Sequence, residues 1–145
     1  MHYSERLLGY VKRAEQTTQA AKERVLREFA MTPAQQSALA VLSDNDGITA
    51  AELARRCAVT PQTMNSTLGR LEQRGLIERR PHPVHGTLIE IRLTPAGTDL
   101  FTRADARVAH LDERLAQALH PHELATLKSL LDKVTETARS EPETP

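Results

Sequence analysis

The sequence predicts a mainly α fold with one small β-hairpin wing, and three observations support this prediction. Apolar residues recur at steps of three and four through most of the 145 residues, which is the period of an amphipathic helix. Threonine–proline pairs at 32–33, 60–61 and 94–95 each combine an N-cap residue with the first position of a helix. Two strand-like runs, 76–80 and 88–93, flank a segment rich in proline, histidine and glycine, which predicts a hairpin.

The composition limits the class of protein before any motif is considered. The length fits a single domain over residues 1–145, and the chain has no net charge. It contains no apolar run near the ~18 residues that a membrane helix needs, and its first residues lack the apolar region of a secretory signal. Its single cysteine excludes an internal disulfide. These features predict a cytoplasmic protein that does not associate with a membrane.

Residues 49–75 carry the clearest local pattern, two short helices joined by a tight turn. Thr49 is predicted to cap the first helix, with Glu52 as its capping-box partner, and Val59 to end it. The predicted apolar stripe of this helix comprises Leu53, Ala54, Cys57 and Ala58. Thr60 is predicted to cap the second helix and Gly75 to stop it. The predicted buried face of the second helix comprises Met64, Leu68 and Leu71.

The opposite face of the second helix carries short polar side chains and one arginine. Such groups suit the base edges and phosphates of a DNA major groove, which predicts a recognition helix. The alternative is a small α+β core with a solvated polar face. The residues predicted to contact DNA from this helix are Thr60, Pro61, Gln62, Thr63, Asn65, Ser66 and Arg70.

The charge distribution favours DNA contact. Residues 55–92 contain seven arginines and three glutamates, a local excess of four positive charges in a chain that is neutral overall. Positive charge concentrated on a helix-turn-helix and the following hairpin is typical of a phosphate-binding surface, and arginine matches phosphate and guanine best. A hairpin in this position is a wing. Its predicted DNA-contacting residues are Arg79, Arg80, His82, His85 and Arg92.

Both ends of the chain are predicted to be long amphipathic helices, spanning about residues 4–29 at the start and 95–119 and 121–138 at the end. In the last helix, apolar residues spaced three and four apart form a seam of the kind that packs against other helices. This seam comprises Leu124, Leu127, Leu131, Val134 and Ala138. Because only 3% of residues are aromatic, the chain has little bulk to cover such stripes, and we predict a two-fold homodimer. Residues 140–145 are polar and proline-rich, which predicts a disordered tail.

The runs ELARRCAVTPQTMNSTLGRLEQRGLIERR and IRLTPAG resemble the MarR (multiple antibiotic resistance regulator) family of bacterial winged helix-turn-helix transcription factors. The resemblance extends to LLGYVKR and MTPAQQSALAVL, and so covers nearly the whole chain. It implies a homodimeric repressor that binds double-stranded DNA at an inverted-repeat operator. It also implies the division of the chain into dimerisation helices at 1–31 and 95–139 and a winged head at 32–94.

The wing departs from the family pattern. Family members usually carry an aspartate and an arginine in an Asp-x-Arg pattern there, and the arginine reaches the minor groove. Here His85 and Thr87 occupy those positions. We therefore expect the wing to contribute less to DNA binding than the recognition helix does.

The resemblance further implies a small-molecule effector. In family members of this type, an anionic or phenolic ligand often lies where the dimerisation helices meet the winged head. Tyr10 and Arg13 lie three residues apart in the LLGYVKR stretch, and an arginine there can receive a carboxylate. They are the predicted ligand-binding residues. The alternative is a solvated helix face or a salt bridge between subunits.

Other candidate sites have weaker support. Cys57 suggests a redox-responsive regulator, but a small core residue is favoured because buried thiols are usually inert. The loop pairs His82–His85 and His120–His122 bring too few ligands for zinc, so neither a metal nor a cofactor is predicted. The sequence contains no catalytic motif, which predicts that the protein is not an enzyme. A winged-helix adaptor that binds proteins instead of DNA remains an alternative.

Overall fold

A computed structural model describes residues 1–142 of the chain. The chain divides into two compact units, Met1–Val108 and a C-terminal unit that begins at Ala109. The mainly α fold with a hairpin wing, predicted from the sequence, is confirmed. The elements are α1 (Leu7–Leu26), α2 (Pro33–Asp44), β1 (Ile48–Thr49), α3 (Ala50–Arg56), α4 (Pro61–Gln73), β2 (Ile77–Pro81), β3 (Ile89–Leu93), α5 (Pro95–Gln117) and α6 (Pro121–Ser140).

The sheet has one strand more than the predicted hairpin. It is antiparallel with the order β1-β3-β2. The hairpin register pairs Ile77 with Leu93 and Pro81 with Ile89, and Ile48 of β1 pairs with Ile91 of β3. Strand β1 has only two residues, too few to show the alternation by which a strand is recognised in a sequence. Its pairing joins the wing to the start of α3.

The hydrophobic core lies in the first unit and is built mainly from the apolar faces of α2, α3 and α4. Of the apolar stripe expected for α1, little is covered: Leu26 at its end is buried, whereas Leu8 is 66% exposed. Ala104 of α5 is fully buried in the same cluster, so the first part of α5 also packs there. The largest fully buried side chains are Leu26, Leu39, Leu53, Leu68, Leu71 and Ile91. The buried face predicted for α4 is confirmed.

Threonine caps begin the helices of the head. The Thr32 hydroxyl accepts a hydrogen bond from the amide of Gln35 at 3.1 Å, and the Gln35 side chain accepts one from the Thr32 amide at 3.2 Å. The Thr49 hydroxyl caps α3 through the amide of Glu52 at 3.2 Å. The Glu52 carboxylate, however, pairs with Arg55 and Arg56 instead of completing the predicted capping box.

Helix α3 ends earlier than predicted. Ala58 adopts a left-handed conformation with φ +55°, and its amide donates to the Arg55 carbonyl at 3.2 Å. The amide of Val59 donates to the Ala54 carbonyl at 3.0 Å, which completes the helix stop. Ala58 is therefore exposed, and the prediction that it belongs to the apolar stripe of α3 is wrong. A left-handed alanine has no sequence signal, because glycine is the usual residue at this position.

Helix α5 starts in close contact with the end of α4. The amide of Thr94 donates to the Leu76 carbonyl at 3.1 Å, and its hydroxyl accepts from the amide of Gly97 at 3.0 Å. A Cβ atom at Gly97 would lie 1.9 Å from the Leu76 carbonyl oxygen, so only glycine allows this approach. The contact fixes the direction in which α5 leaves the wing.

The terminal helices differ from the predictions at their ends. Arg6 is extended, so α1 begins at Leu7 and short 3-10 turns, Tyr3–Glu5 and Arg27–Phe29, flank it. The last helix continues to Ser140, and of the predicted tail, residues 143–145 lie outside the described residues. No residue of α6 is buried. None of the helices within residues 1–142 is long and apolar enough to cross a membrane.

Candidate DNA-binding surface

The outward face of α4 presents free polar side chains. Gln62, Asn65 and Ser66 are exposed, and within residues 1–142 their side chains make no hydrogen bond. Gly69 lies on the same face, and a Cβ there would meet no atom within 4 Å. The face is therefore both polar and open, as major-groove readout requires.

The first two threonines of α4 serve the helix itself. The Thr60 hydroxyl accepts from the Thr63 amide at 3.1 Å and donates to the Thr63 hydroxyl at 2.9 Å. Pro61 occupies the first helical position beside them. Thr63 also lines a cavity on the side of α4 that faces α1 and α2, so it lies at the edge of the predicted DNA face. These residues position the reading face and leave Gln62, Asn65 and Ser66 at its centre.

Most arginines of the basic region have partners within the chain. Arg79 of β2 pairs with Glu72 of α4 at 3.3 Å, and Arg80 pairs with Glu78 of the same strand. Arg70 on α4 makes no ion pair within residues 1–142. Exposed ion pairs contribute only ~0–1 kcal/mol, so a phosphate can replace the glutamate at little cost. Arg70, Arg79 and Arg80 thus remain available to a DNA backbone.

Arg92 has a structural role, and its DNA contact stays a prediction. Its Nε atom donates to the Glu90 carboxylate at 2.8 Å and its Nη1 atom lies 2.5 Å from the Asp46 carboxylate. The hydrogen bonds that Arg92 donates to the carboxylates of Glu90 and then Asp46 raise the pKa of Arg92 above its usual value. Glu90 is only 3% exposed, and Gly47 with φ +78° packs against its carboxylate. This cluster joins β3 to the turn before β1.

The wing tip is built around a histidine. Nδ1 of His82 accepts hydrogen bonds from the amides of Val84 and His85 at 3.1 and 3.0 Å. The two imidazole rings lie 5.4 Å apart between centroids. His82 is half-buried and His85 is exposed. Within residues 1–142, no group of three or more histidine, cysteine or acidic side chains is arranged to hold a metal ion.

A cavity of about 240 Å³ lies behind the recognition helix, between α1, α2, the end of α3 and α4. Lys22 of α1 lies at this cavity, and burial lowers its pKa while the charge of Asp105 acts in the opposite direction. Met64 and Thr67 of α4 line the same space. The position of Lys22 at a cavity could not be predicted from the sequence, because a lone lysine beside an apolar stripe looks the same as a solvent-exposed lysine. The lining residues are Gln19, Lys22, Pro33, Ala34, Ser37, Cys57, Val59, Thr63, Met64 and Thr67.

Tyr10 and Arg13 come together, but they engage each other. The Arg13 guanidinium lies 4.4 Å from the centroid of the Tyr10 ring. Its Nη1 atom also donates to the Ser4 carbonyl at 3.1 Å. Neither residue lines the cavity that contains Lys22. An anion bound at Arg13 would therefore share its guanidinium with the Ser4 carbonyl and the Tyr10 ring.

Cys57 follows α3 and lines the same cavity as Lys22. Its side chain is half-buried, and burial raises the pKa of its thiol. A raised pKa lowers the fraction of reactive thiolate at neutral pH. The structure therefore supports the structural interpretation of this residue over the redox one.

The fold and the polar, open face of α4 define a winged helix-turn-helix protein, and comparison with known proteins identifies the family. Residues 31–86 match the family model described as "MarR family". The chain is 36% identical over 96 residues to the HTH-type transcriptional repressor Rv2887 of Mycobacterium tuberculosis (strain ATCC 25618 / H37Rv), covering 66% of this chain and 69% of that protein. It is 31% identical over 109 residues to the uncharacterized HTH-type transcriptional regulator ML2140 of Mycobacterium leprae (strain TN), covering 74% of this chain and 76% of that protein.

Solved structures agree with this assignment. The transcriptional repressor CouR bound to a 23-mer DNA duplex superposes with a TM-score of 0.84 at 28% identity, covering 91% of this chain and 94% of that one. The wild-type apo form of MarR from E. coli superposes with a TM-score of 0.76 at 27% identity, covering 90% and 96%. The chain belongs to the MarR family of DNA-binding transcriptional regulators, which are not enzymes.

Proposed function

We propose that the protein is a homodimeric repressor that binds an inverted-repeat operator in the cytoplasm and is released from it by a small anionic or phenolic ligand. The observation that carries this proposal is the outward face of α4, where Gln62, Asn65 and Ser66 are exposed and free to bond. Unpaired polar groups at the front of a helix are what direct reading of base edges needs. The similarity to CouR, whose structure contains a DNA duplex, supports the same role.

Within the proposed complex, base edges and phosphates are contacted by different residues. Gln62, Asn65 and Ser66 read bases, because they lie at the centre of the outward face. Arg70 contacts a phosphate from the rim of α4, and Arg79 and Arg80 do so from the wing after exchanging their glutamate partners. The wing tip, with His82 and His85, lies beside the flanking backbone or minor groove. Thr60, Pro61 and Thr63 hold α4 at the angle at which it enters the groove.

The proposed dimer explains the exposed seam of α6. Leu127 and Leu131 are 42% and 47% exposed, although their spacing is that of a helix-packing seam. Covering such residues with a second copy stabilises the assembly by ~1.5–3 kcal/mol for each leucine that becomes fully buried. Two copies related by a two-fold axis would present two α4 helices about one DNA turn apart, ~34–36 Å, and would therefore require an inverted repeat.

The proposed effector site is the cavity behind α4. Its volume of about 240 Å³ suits a single aromatic ring with a short substituent. Lys22 supplies a cation that is partly removed from water, so an anionic or phenolic group gains a strong partner there. Because Met64 and Thr67 line the cavity, an occupant touches the back of the recognition helix. Tyr10 and Arg13 do not line this cavity and remain a predicted ligand site of their own.

The experiment that tests this proposal compares operator with random DNA. The operator is first selected from a random pool, and fluorescence anisotropy then measures binding of each variant to both duplexes at several salt concentrations. Gln62→Ala is expected to weaken operator binding by roughly 1–3 kcal/mol and to leave random DNA nearly unaffected. Arg80→Ala is expected to weaken both and to lower the salt slope by about one counterion per subunit.

Arg139→Ala is the matched control, since it removes an exposed, ion-paired arginine from the end of α6. It should leave both affinities at the wild-type value. If Gln62→Ala weakened binding to both duplexes equally, α4 would be a backbone clamp and not the source of specificity. If the wild-type protein showed no salt-dependent binding to any duplex, the adaptor alternative would replace the repressor.

A further inference from the structure

We propose that His82 is the positioning residue of the wing: its neutral imidazole builds the turn at the wing tip, and protonation releases that turn and weakens operator binding. The proposal rests on the DNA-binding function proposed above. It gives His82, which the sequence predicts only as a DNA-contacting residue, a role within the wing itself. It also makes operator binding sensitive to pH in the direction opposite to that expected from charge alone.

The hydrogen bonds of the wing tip converge on one nitrogen. Nδ1 of His82 accepts from the amides of Val84 and His85 at 3.1 and 3.0 Å. Pro83 lies between and has no N–H group, so these are the first two backbone donors after His82. The amide of His82 donates to the Leu88 carbonyl at 2.8 Å, and the Leu88 amide donates to the His85 carbonyl at 2.8 Å. The imidazole thus accepts from two amides of the tip that have no backbone acceptor, those of Val84 and His85.

This geometry determines the protonation state of the ring. A nitrogen that accepts N–H donors must carry a free lone pair, so the proton of the neutral His82 ring lies on Nε2. An imidazolium carries a proton on both nitrogens and accepts nothing. Protonation would therefore remove the acceptor for Val84 and His85 and place a third donor against them. Because histidine is the side chain whose charge changes most readily near neutral pH, lowering the pH is expected to release the turn.

The charged groups around His82 do not compensate its protonated form. The titratable group that faces its ring is His85, 5.4 Å away between centroids. On β2, Arg80 is paired with Glu78, and on β3 the carboxylate of Glu90 is taken up by Arg92. Within residues 1–142, His82 itself makes no ion pair. A proton on His82 is therefore repelled by a protonated His85 and held by no carboxylate.

An ordered conformation of the wing tip matters for DNA binding because the tip has no permanent charge. Residues 83–87 contain no lysine, arginine, aspartate or glutamate, and Val84 at the tip is 78% exposed. Such a loop gains little from general attraction to phosphate, so its contribution depends on being held in the bound shape beforehand. A charge-only role for the histidines predicts tighter binding as pH falls, since added positive charge attracts DNA. A positioning role predicts weaker binding.

Three variants of the full chain separate these roles. In His82→Asn, the side-chain oxygen accepts amides two and three residues on, as in common asparagine turns, at any pH. In His82→Ala, the acceptor is lost at every pH. In His85→Asn, the neighbouring titratable ring is removed, but the His82 acceptor stays. NMR without DNA at pH 7.5 and pH 5.5 measures the protection of the Val84 and His85 amides from hydrogen exchange, relative to intrinsic rates, and the ring nitrogen shifts of His82.

We expect the wild-type amides to be protected at pH 7.5 and to lose protection at pH 5.5, with Nδ1 unprotonated at the higher pH. His82→Asn should protect them at both pH values and His82→Ala at neither, whereas His85→Asn should behave as the wild type. For the selected operator, wild-type affinity should fall about tenfold at pH 5.5 relative to His82→Asn, the size expected from about one net hydrogen bond. His85→Asn should also bind the operator more weakly at pH 5.5 than at pH 7.5, whatever its affinity at the higher pH, because it keeps the His82 acceptor.

Two results would overturn the proposal: wild-type binding that tightens at pH 5.5, or protected tip amides in His82→Ala. A protein that bound no DNA at any pH would refute the DNA-binding function, while the amide measurements would still decide whether His82 builds the turn.

Discussion

Helices α4 and α6 carry nearly the same apolar pattern and have opposite surroundings. In α4 the apolar residues Met64, Leu68 and Leu71 are at most 2% exposed. In α6 the equivalent positions of the repeat, Leu127 and Leu131, are 42% and 47% exposed. Periodicity therefore predicts which face of a helix is apolar, but whether that face is buried depends on the other elements. The helices of the head bury the apolar face of α4, whereas the apolar face of α6 is exposed and, in our proposal, packs against a second copy.

Helix α5 shows the same contrast along its own length. Ala104, in its first half, is fully buried in the core of the first unit. Leu115, in its second half, belongs to the same predicted stripe and is exposed. A continuous stripe on one helix thus serves two purposes, packing the head and, in our proposal, packing a second copy.

The largest effect is expected where the exposed seam receives a charge. Leu131→Asp should separate the proposed dimer, because a carboxylate cannot be buried without a partner. Light scattering at micromolar concentration should give twice the 16.1 kDa chain mass for the wild type and one chain mass for the variant. Lys133→Asp is the control, since Lys133 is exposed on the side of α6 away from the seam, and this variant should remain a dimer. A monomeric wild type would contradict the proposed role of the seam.

A smaller effect is expected from truncating leucines on the two helices. Leu68→Ala should lower the free energy of unfolding by ~2–5 kcal/mol, because it leaves a cavity in a packed core. Denaturation at two protein concentrations should show the same loss at both. Leu131→Ala should show a loss that shrinks on dilution, because its contacts form only when two copies associate. Equal behaviour of the two variants would remove the distinction between the helices.

The sequence predicts features that depend on short-range chemistry. The caps at Thr32 and Thr60, the proline at the first position of each following helix and the stop at Gly75 all follow from local preferences. The buried face of α4 follows from its period. These features could be predicted because each one depends on residues within one or two helical turns.

The features that the sequence did not predict depend on contacts between distant segments or on rare backbone choices. Strand β1 exists because β3 pairs with it, and Arg92 is held by Asp46, which lies in another turn. Ala58 adopts a conformation that glycine usually adopts. His82 builds a turn that asparagine or aspartate usually builds. The cavity at Lys22 needs four elements to form, so no local pattern predicts it.

The smallest effect is expected at Cys57, which is half-buried and lines the cavity behind α4. Burial raises the pKa of this thiol, so less thiolate is present at pH 7 than in an exposed cysteine. Alkylation by iodoacetamide at pH 7 should be slower than that of a cysteine peptide, and its rate should rise at a higher pH than that of the peptide. Cys57→Ala should cost some stability, and operator binding should stay insensitive to mild peroxide in both proteins. If the wild type lost DNA on oxidation and Cys57→Ala did not, the redox-responsive interpretation would replace the structural one, because only a reactive thiolate explains that difference.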